Sequence, residues 1–224
     1  MSTDLKLLRL LQLASPSLPV GGFTYSQGLE WAVEAGWVQG AEGFRSWQLQ
    51  QLEDTLAYLD WPLLARLYQA CRDQDSEAFA RWSQFLLANR ETAELRLEER
   101  QRGMALARML DGWQLCKADA WRPSLALSQL GGMAWLGAHW DIPLRDLALG
   151  HGYAWLEGAV MAGVKLVPFG QQAAQSLLRD LCEALPAVLE RALTLADDEL
   201  GGGLPLLAIA SSRHETQYTR LFRS

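Results

Sequence analysis

Apolar residues recur every three or four positions along almost the whole chain, the spacing of one helix face. Leu5, Leu8 and Leu11, with the leucines between them, predict a short helix that is apolar nearly all round and therefore buried. Leu49, Leu52, Leu56, Leu59 and Leu63 trace a second stripe, which Pro62, close behind Asp60, either kinks or restarts. Beyond a polar turn at Asp73 to Ser76, Phe79, Trp82, Phe85 and Leu86 mark the next helix. From Thr92 to Leu110 the sequence is charge-rich, with Glu98 and Arg102 four apart, and an exposed helix face is predicted. Between Pro143 and Gly163 the small residues Gly150, Ala154, Gly158 and Ala162 repeat every four positions. Glycine costs about 1 kcal/mol relative to alanine in a helix interior, so the repeat implies another backbone packed close. Val164 to Phe169 reads as an extended loop, and Gln171 to Ala196 as one long helix bent at Pro186. No segment alternates with strand period between hairpin turns, and nothing repeats at solenoid period. The predicted fold is all-α: a single-domain multi-helix bundle over residues 1–200, then a flexible C-terminal tail, residues 201–224, hinged at Gly201-Gly202-Gly203.

One break between helices is unlike the others. Leu13 to Val38 reads LASPSLPVGGFTYSQGLEWAVEAGWV. Pro16 and Pro19 fix φ and push their predecessors toward extended geometry. Gly21 and Gly22 then permit conformations closed to other residues. Ser26 or Thr24 can cap a helix that runs through Leu29, Ala32 and Val33 and stops at Gly36. The expected product is a rigid elbow presenting Phe23, Tyr25, Glu30 and Trp31.

Composition narrows the class. The chain of 224 residues is half hydrophobic and 21% charged, enough for one core. A net charge of −6 opposes a nucleic-acid or anionic-membrane surface. With no signal segment and no apolar run of bilayer length, the cytoplasm is the expected compartment. Of the ten tryptophans most are expected in the core, with two or three, led by Trp31 and Trp37, left for a partner. Cys71, Cys116 and Cys182 lie too far apart for a disulfide framework or zinc knuckle and are expected to be buried and reduced.

Catalytic patterns fail one by one. His214-Glu215-Thr216-Gln217-Tyr218 has Tyr218 where a metallohydrolase needs its second histidine, and His139 and His151 read as structural. Gly158 to Leu166 has one residue too many before Lys165 for a phosphate loop, and Leu166 where Ser or Thr belongs. No serine sits in a nucleophile elbow. Glu98 and Glu99 read as a solvated pair. No cofactor and no metal site are expected. Lys165, after a close-packed helix and without an acidic neighbour in sequence, reads either as a snorkelling surface lysine or as a contact residue. The last residues hold little apolar material, only Tyr218, Leu221 and Phe222 among Arg213, Arg220 and Arg223, a composition enriched at interfaces. By that count the tail is mobile until a partner orders it.

Three segments carry a resemblance: the elbow, the run Gly163-Val164-Lys165-Leu166-Val167-Pro168-Phe169-Gly170-Gln171, and the terminus from Ser211 to Ser224. Together they resemble the UreF-type urease accessory proteins, without departure at these positions, whereas Gly40 to Arg122 reads generically. The resemblance implies an all-helical, non-enzymatic component of urease nickel insertion. Its implied partners are a UreD-type protein (also called UreH), the UreG-type GTPase and the urease apoprotein. The implied contact residues are Tyr25, Glu30, Trp31, Lys165, Arg213, His214, Glu215, Tyr218, Arg220, Phe222 and Arg223, and a homodimer is left open. The alternative role is a GTPase-activating protein that supplies a catalytic arginine in trans, with Arg213, Arg220 and Arg223 as candidates.

Overall fold

Every regular element among the described residues is helical, as the three-and-four spacing requires. The structure, a computed structural model, describes residues 1–115 and 120–223, with Phe23 described by its backbone alone. The expectations for the Phe23 side chain, Cys116 and Ser224 lie outside the described residues. Helix α1 (Thr3–Ala14) leads into the elbow, where a 3-10 turn (Gly22–Thr24) precedes α2 (Leu29–Glu34). Helix α3 (Gly40–Gln51), a π-helical stretch (Leu52–Asp60) and α4 (Trp61–Arg72) run end to end, followed by α5 (Ser76–Ala88) and α6 (Ala93–Gly112). Then come α7 (Arg122–Leu125), α8 (Gln129–His139), α9 (Leu144–Leu166), α10 (Gln171–Cys182) and α11 (Leu185–Leu193). A 3-10 turn (Asp197–Glu199) and α12 (Pro205–His214) complete the order.

Starts are set by side-chain caps where the sequence supplies them. Asp75 accepts from the Ala78 amide, Thr92 from Leu95 and Ser128 from Gly131, each satisfying an amide that a first helical turn leaves unpaired. At the centre lies α4, packed by α5, α8, α9 and α11. Its Trp61, Leu63, Leu64 and Leu67 are fully buried. Each such side chain contributes roughly 1.5–3 kcal/mol of transfer free energy, so this one helix anchors much of the core.

Several sequence expectations are corrected. Helix α1 is not buried all round: Leu7, Leu8 and Leu11 are more than half exposed, because α1 lies on the outside of α9 and only Leu10 and Leu13 turn inward. Pro62 takes the second of its two expected roles, a restart: it sits in the first turn of α4, directly after the π-helical stretch. The long helix expected over Gln171 to Ala196 is two helices, with Pro186 in the first turn of the second. Extended backbone begins only at Val167, and Lys165 therefore lies in the last turn of α9 and not in a loop. Cys71 is buried, its thiol pushed up to about 12 by burial, and Cys182 is half-buried.

The glycines of α9 meet side chains where a backbone was expected. A Cβ on Gly150 would come within 2.6 Å of Leu10, and one on Gly163 within 2.7 Å of Phe44, while one on Gly158 would meet nothing. Backbone contact occurs elsewhere. A Cβ on Gly103 of α6 would lie 2.5 Å from the Ser128 nitrogen, so α6 and the start of α8 can approach only through glycine. Two substitutions separate these cases. Gly103→Ala should destabilise by about 2 kcal/mol or more through backbone displacement, whereas Gly158→Ala should be neutral or stabilising by up to about 1 kcal/mol. Urea unfolding of both variants checks this, and equal effects would contradict it.

Candidate partner-binding site

The charge-rich helix α6 turns its acids inward. Glu94 and Glu98, one turn apart on the same face, are buried, and Glu99 is largely so. The expectation of a solvated face fails here because each carboxylate meets a donor: His214 and Arg220 at Glu94, Gln27 and Arg102 at Glu98, and Arg90 at Glu99. A buried charge persists only when paired and hydrogen-bonded, and each of these has its partners.

Glu94 receives the C-terminal segment. The buried His214 ring stands between two carboxylates, Nδ1 2.8 Å from Glu94 and Nε2 3.2 Å from Glu30. Arg220 donates to the second Glu94 oxygen at 2.9 Å. Glu30, on α2, accepts from the backbone amides of Leu221 (2.6 Å) and Phe222 (2.9 Å), one on each oxygen. Glu215 accepts from the Ala93 amide at 2.9 Å, at the start of α6 where a carboxylate is also favoured by the helix dipole. The Thr92 and Ser211 hydroxyls meet at 2.8 Å, the Arg223 amide donates to the Thr24 carbonyl at 2.9 Å, and Gln217 donates to Glu34. The Lys165 ammonium lies 5.2 Å from the centre of the Phe222 ring, a cation–π contact.

The sequence-derived contact residues therefore divide. His214 and Phe222 are buried with Glu30 in the cradle, and Tyr25 is buried with its hydroxyl donating to Gln101 at 2.6 Å, so none of these four is the surface group expected. Trp31 is half-buried and meets Trp37 edge-to-face at 4.8 Å, with Trp37 42% exposed. Lys165, Arg213, Glu215, Tyr218, Arg220 and Arg223 are exposed. The apolar count of the terminus was sound, since only Phe222 is buried among its three apolar side chains. What the count omitted was carboxylates aimed at main-chain amides.

Sequence reasoning missed a second polar group inside the bundle. Arg90 bridges Asp60, the last residue of the π-helical stretch, and Glu99. Burial acts to lower the Arg90 pKa, but the two carboxylates outweigh it and keep the guanidinium charged; burial raises Glu99, opposed by Arg90. Glu98 accepts from Arg102 at 2.7 Å and from Gln27 at 3.0 Å, and Gln27 accepts from the Trp155 indole at 3.0 Å. These groups line a cavity of about 70 Å³ together with His151, whose Nδ1 is buried and unbonded. His139 stacks on Trp135 at 4.9 Å. Among the described residues no group of three or more His, Cys, Asp or Glu side chains is placed to hold a metal ion, and no helix is long and apolar enough to cross a membrane.

Comparison with known proteins settles the family. A model of the UreF family matches residues 38–182. The chain belongs to the UreF family of urease accessory proteins. It is 80% identical to a urease accessory protein UreF of Pseudomonas putida (strain W619) over the whole of both chains. To UreF of Citrobacter koseri it is 61% identical over 97% of each chain, and to UreF of Klebsiella pneumoniae (strain 342) 57% over the whole of both. The family model leaves out most of the elbow and the terminus, which the whole-chain matches to the Pseudomonas putida and Klebsiella pneumoniae proteins span.

The buried imidazole makes a pH prediction. Burial pushes His151 down from 6.5 to about 4. A base depressed by folding takes up protons more readily when unfolded, so stability falls as pH drops from 6.5 toward 4. His151→Gln should flatten that part of the stability curve in urea titrations at stepped pH. An unchanged slope would count against it.

Proposed function

We propose that this UreF-family protein is a non-enzymatic adaptor of urease maturation, working in the cytoplasm. It bridges the UreD (UreH)-type protein and the UreG-type GTPase on the urease apoprotein, and couples GTP hydrolysis to delivery of nickel into the metallocentre. The observation that supports this reading best is the docked terminus. It occupies a bed of buried carboxylates and leaves Tyr218, Leu221, Arg213 and Arg223 facing outward. Aromatic and arginine side chains supply most hot-spot energy in interfaces, and Lys165 stands at the edge of the same surface. Nickel is cargo in this scheme and needs no resident site in the chain.

A second reading has one observation in its favour. Arg213 is exposed at the end of α12 without a carboxylate partner among the described residues, and a free guanidinium is what a GTPase would need in trans. GTP turnover separates the two. An arginine finger is worth roughly 10³–10⁵ in rate, so under this reading Arg213→Ala abolishes the stimulation, while an adaptor leaves turnover within a few fold.

The adaptor reading predicts a division between folding and recruitment. Lys165→Ala should melt within about 2 °C of the parent, as an exposed position does, yet capture less UreG-type GTPase and activate less urease. A variant that melts much earlier, or one that recruits and activates at the parent level, would contradict the assignment of Lys165.

A further inference from the structure

We infer that Glu30, with His214 and Glu94 behind it, is a positioning residue that shapes the C-terminal segment into a binding surface without itself touching the partner. The inference rests on the adaptor reading and says how its surface is built.

Glu30 is 8% exposed, and both of its oxygens are already engaged. One accepts from the Leu221 amide; the other accepts from the Phe222 amide and faces His214 Nε2. Two successive main-chain amides bonded to one carboxylate fix the local backbone direction. They turn the side chain of Phe222 inward, 6% exposed and beneath the Lys165 ammonium, and leave Leu221 pointing out at 62% exposed. The Glu30 carboxylate is in turn oriented by His214, whose other nitrogen meets Glu94, and Glu94 also takes Arg220. Side chains from three helices, Glu30, Glu94 and His214, thus form with Arg220 a connected polar chain around the segment at Leu221 and Phe222.

What this chain presents has a definite chemistry. Tyr218, 103% exposed, and Leu221, 62% exposed, offer apolar area, and Gln217 ties this segment to Glu34 on α2. Arg213 and Arg223 are exposed. An apolar centre beside cations on a chain of net charge −6 fits a protein partner with an apolar pocket rimmed by carboxylates. A nucleic acid would find too few cations and a carboxylate bed beneath them.

If Glu30 acts through the tail, its effect must vanish when the tail is gone. The test uses the full chain, Glu30→Ala, Glu30→Gln, a chain lacking residues 217–224, and the same deletion carrying Glu30→Ala. Amide exchange of the Leu221–Phe222 region is followed by mass spectrometry in the free protein. Capture of purified UreD-type and UreG-type proteins is then measured for all five chains. Expected is about tenfold or faster exchange in Glu30→Ala, with Glu30→Gln, which retains a single acceptor oxygen, between it and the parent. Capture should weaken in Glu30→Ala but show no further loss when that substitution is added to the deletion, the signature of complete coupling. An equal additional loss in the truncated chain would place Glu30 in direct contact with the partner and overturn the inference. Equal exchange in parent and Glu30→Ala would overturn it as well, leaving the adaptor reading standing. Full capture by the truncated chain would overturn both.

Discussion

Three carboxylates on the inward side of α6 set the terms for the rest of the molecule. Burying an ion costs several kcal/mol unless partners restore what water supplied. Glu94, Glu98 and Glu99 each obtain those partners from a different region: the C-terminal segment through His214 and Arg220, the elbow through Gln27, and the connection between α5 and α6 through Arg90. The apolar core determines that helices pack. The acids determine which non-helical segments must close over them, and so the elbow and the terminus, far apart in sequence, become neighbours on one side of the bundle.

That arrangement explains why irregular backbone is tolerated here. Gln27 adopts a left-handed conformation (φ 51°) and Gly28 follows with φ 79°. Such a value is strained for glutamine, but in this geometry its amide bridges Glu98 and Trp155. Gly28 then brings the chain against α12, where a Cβ would come within 3.0 Å of the Ser211 nitrogen. The glycine that the elbow needs for its turn is also the one that lets the terminal helix approach.

Much of this was legible in the sequence, for stated reasons. Periodicity reports which way apolar side chains face, and it marked the helical stripes from Leu49 to Leu63 and from Leu177 to Leu189, though not the break between α10 and α11 that divides the second. Backbone punctuation marked the elbow, since Pro16, Pro19, Gly21 and Gly22 act locally. The failures share a cause: they depend on what lies opposite a residue. Leu7, Leu8 and Leu11 look like core leucines until no second neighbour arrives. Glu94 and Glu98 look like surface acids until His214 and Gln27 come to meet them. Both errors are of tertiary origin, and no one-dimensional pattern carries the pairing.

The separation of the cradle's two halves has a consequence for how the protein is made. Glu30 bonds to amides 191 and 192 residues downstream. At about 5–20 residues per second, synthesis of the intervening chain takes roughly 10–40 s, so the carboxylate is in place long before its acceptor site is filled. The contacts at Leu221 and Phe222 therefore form well after Glu30 has been made. A nascent chain that has not yet reached Leu221 holds Glu30 without these two amide donors. The surface is thereby assembled across a delay set by the length of chain between its two halves.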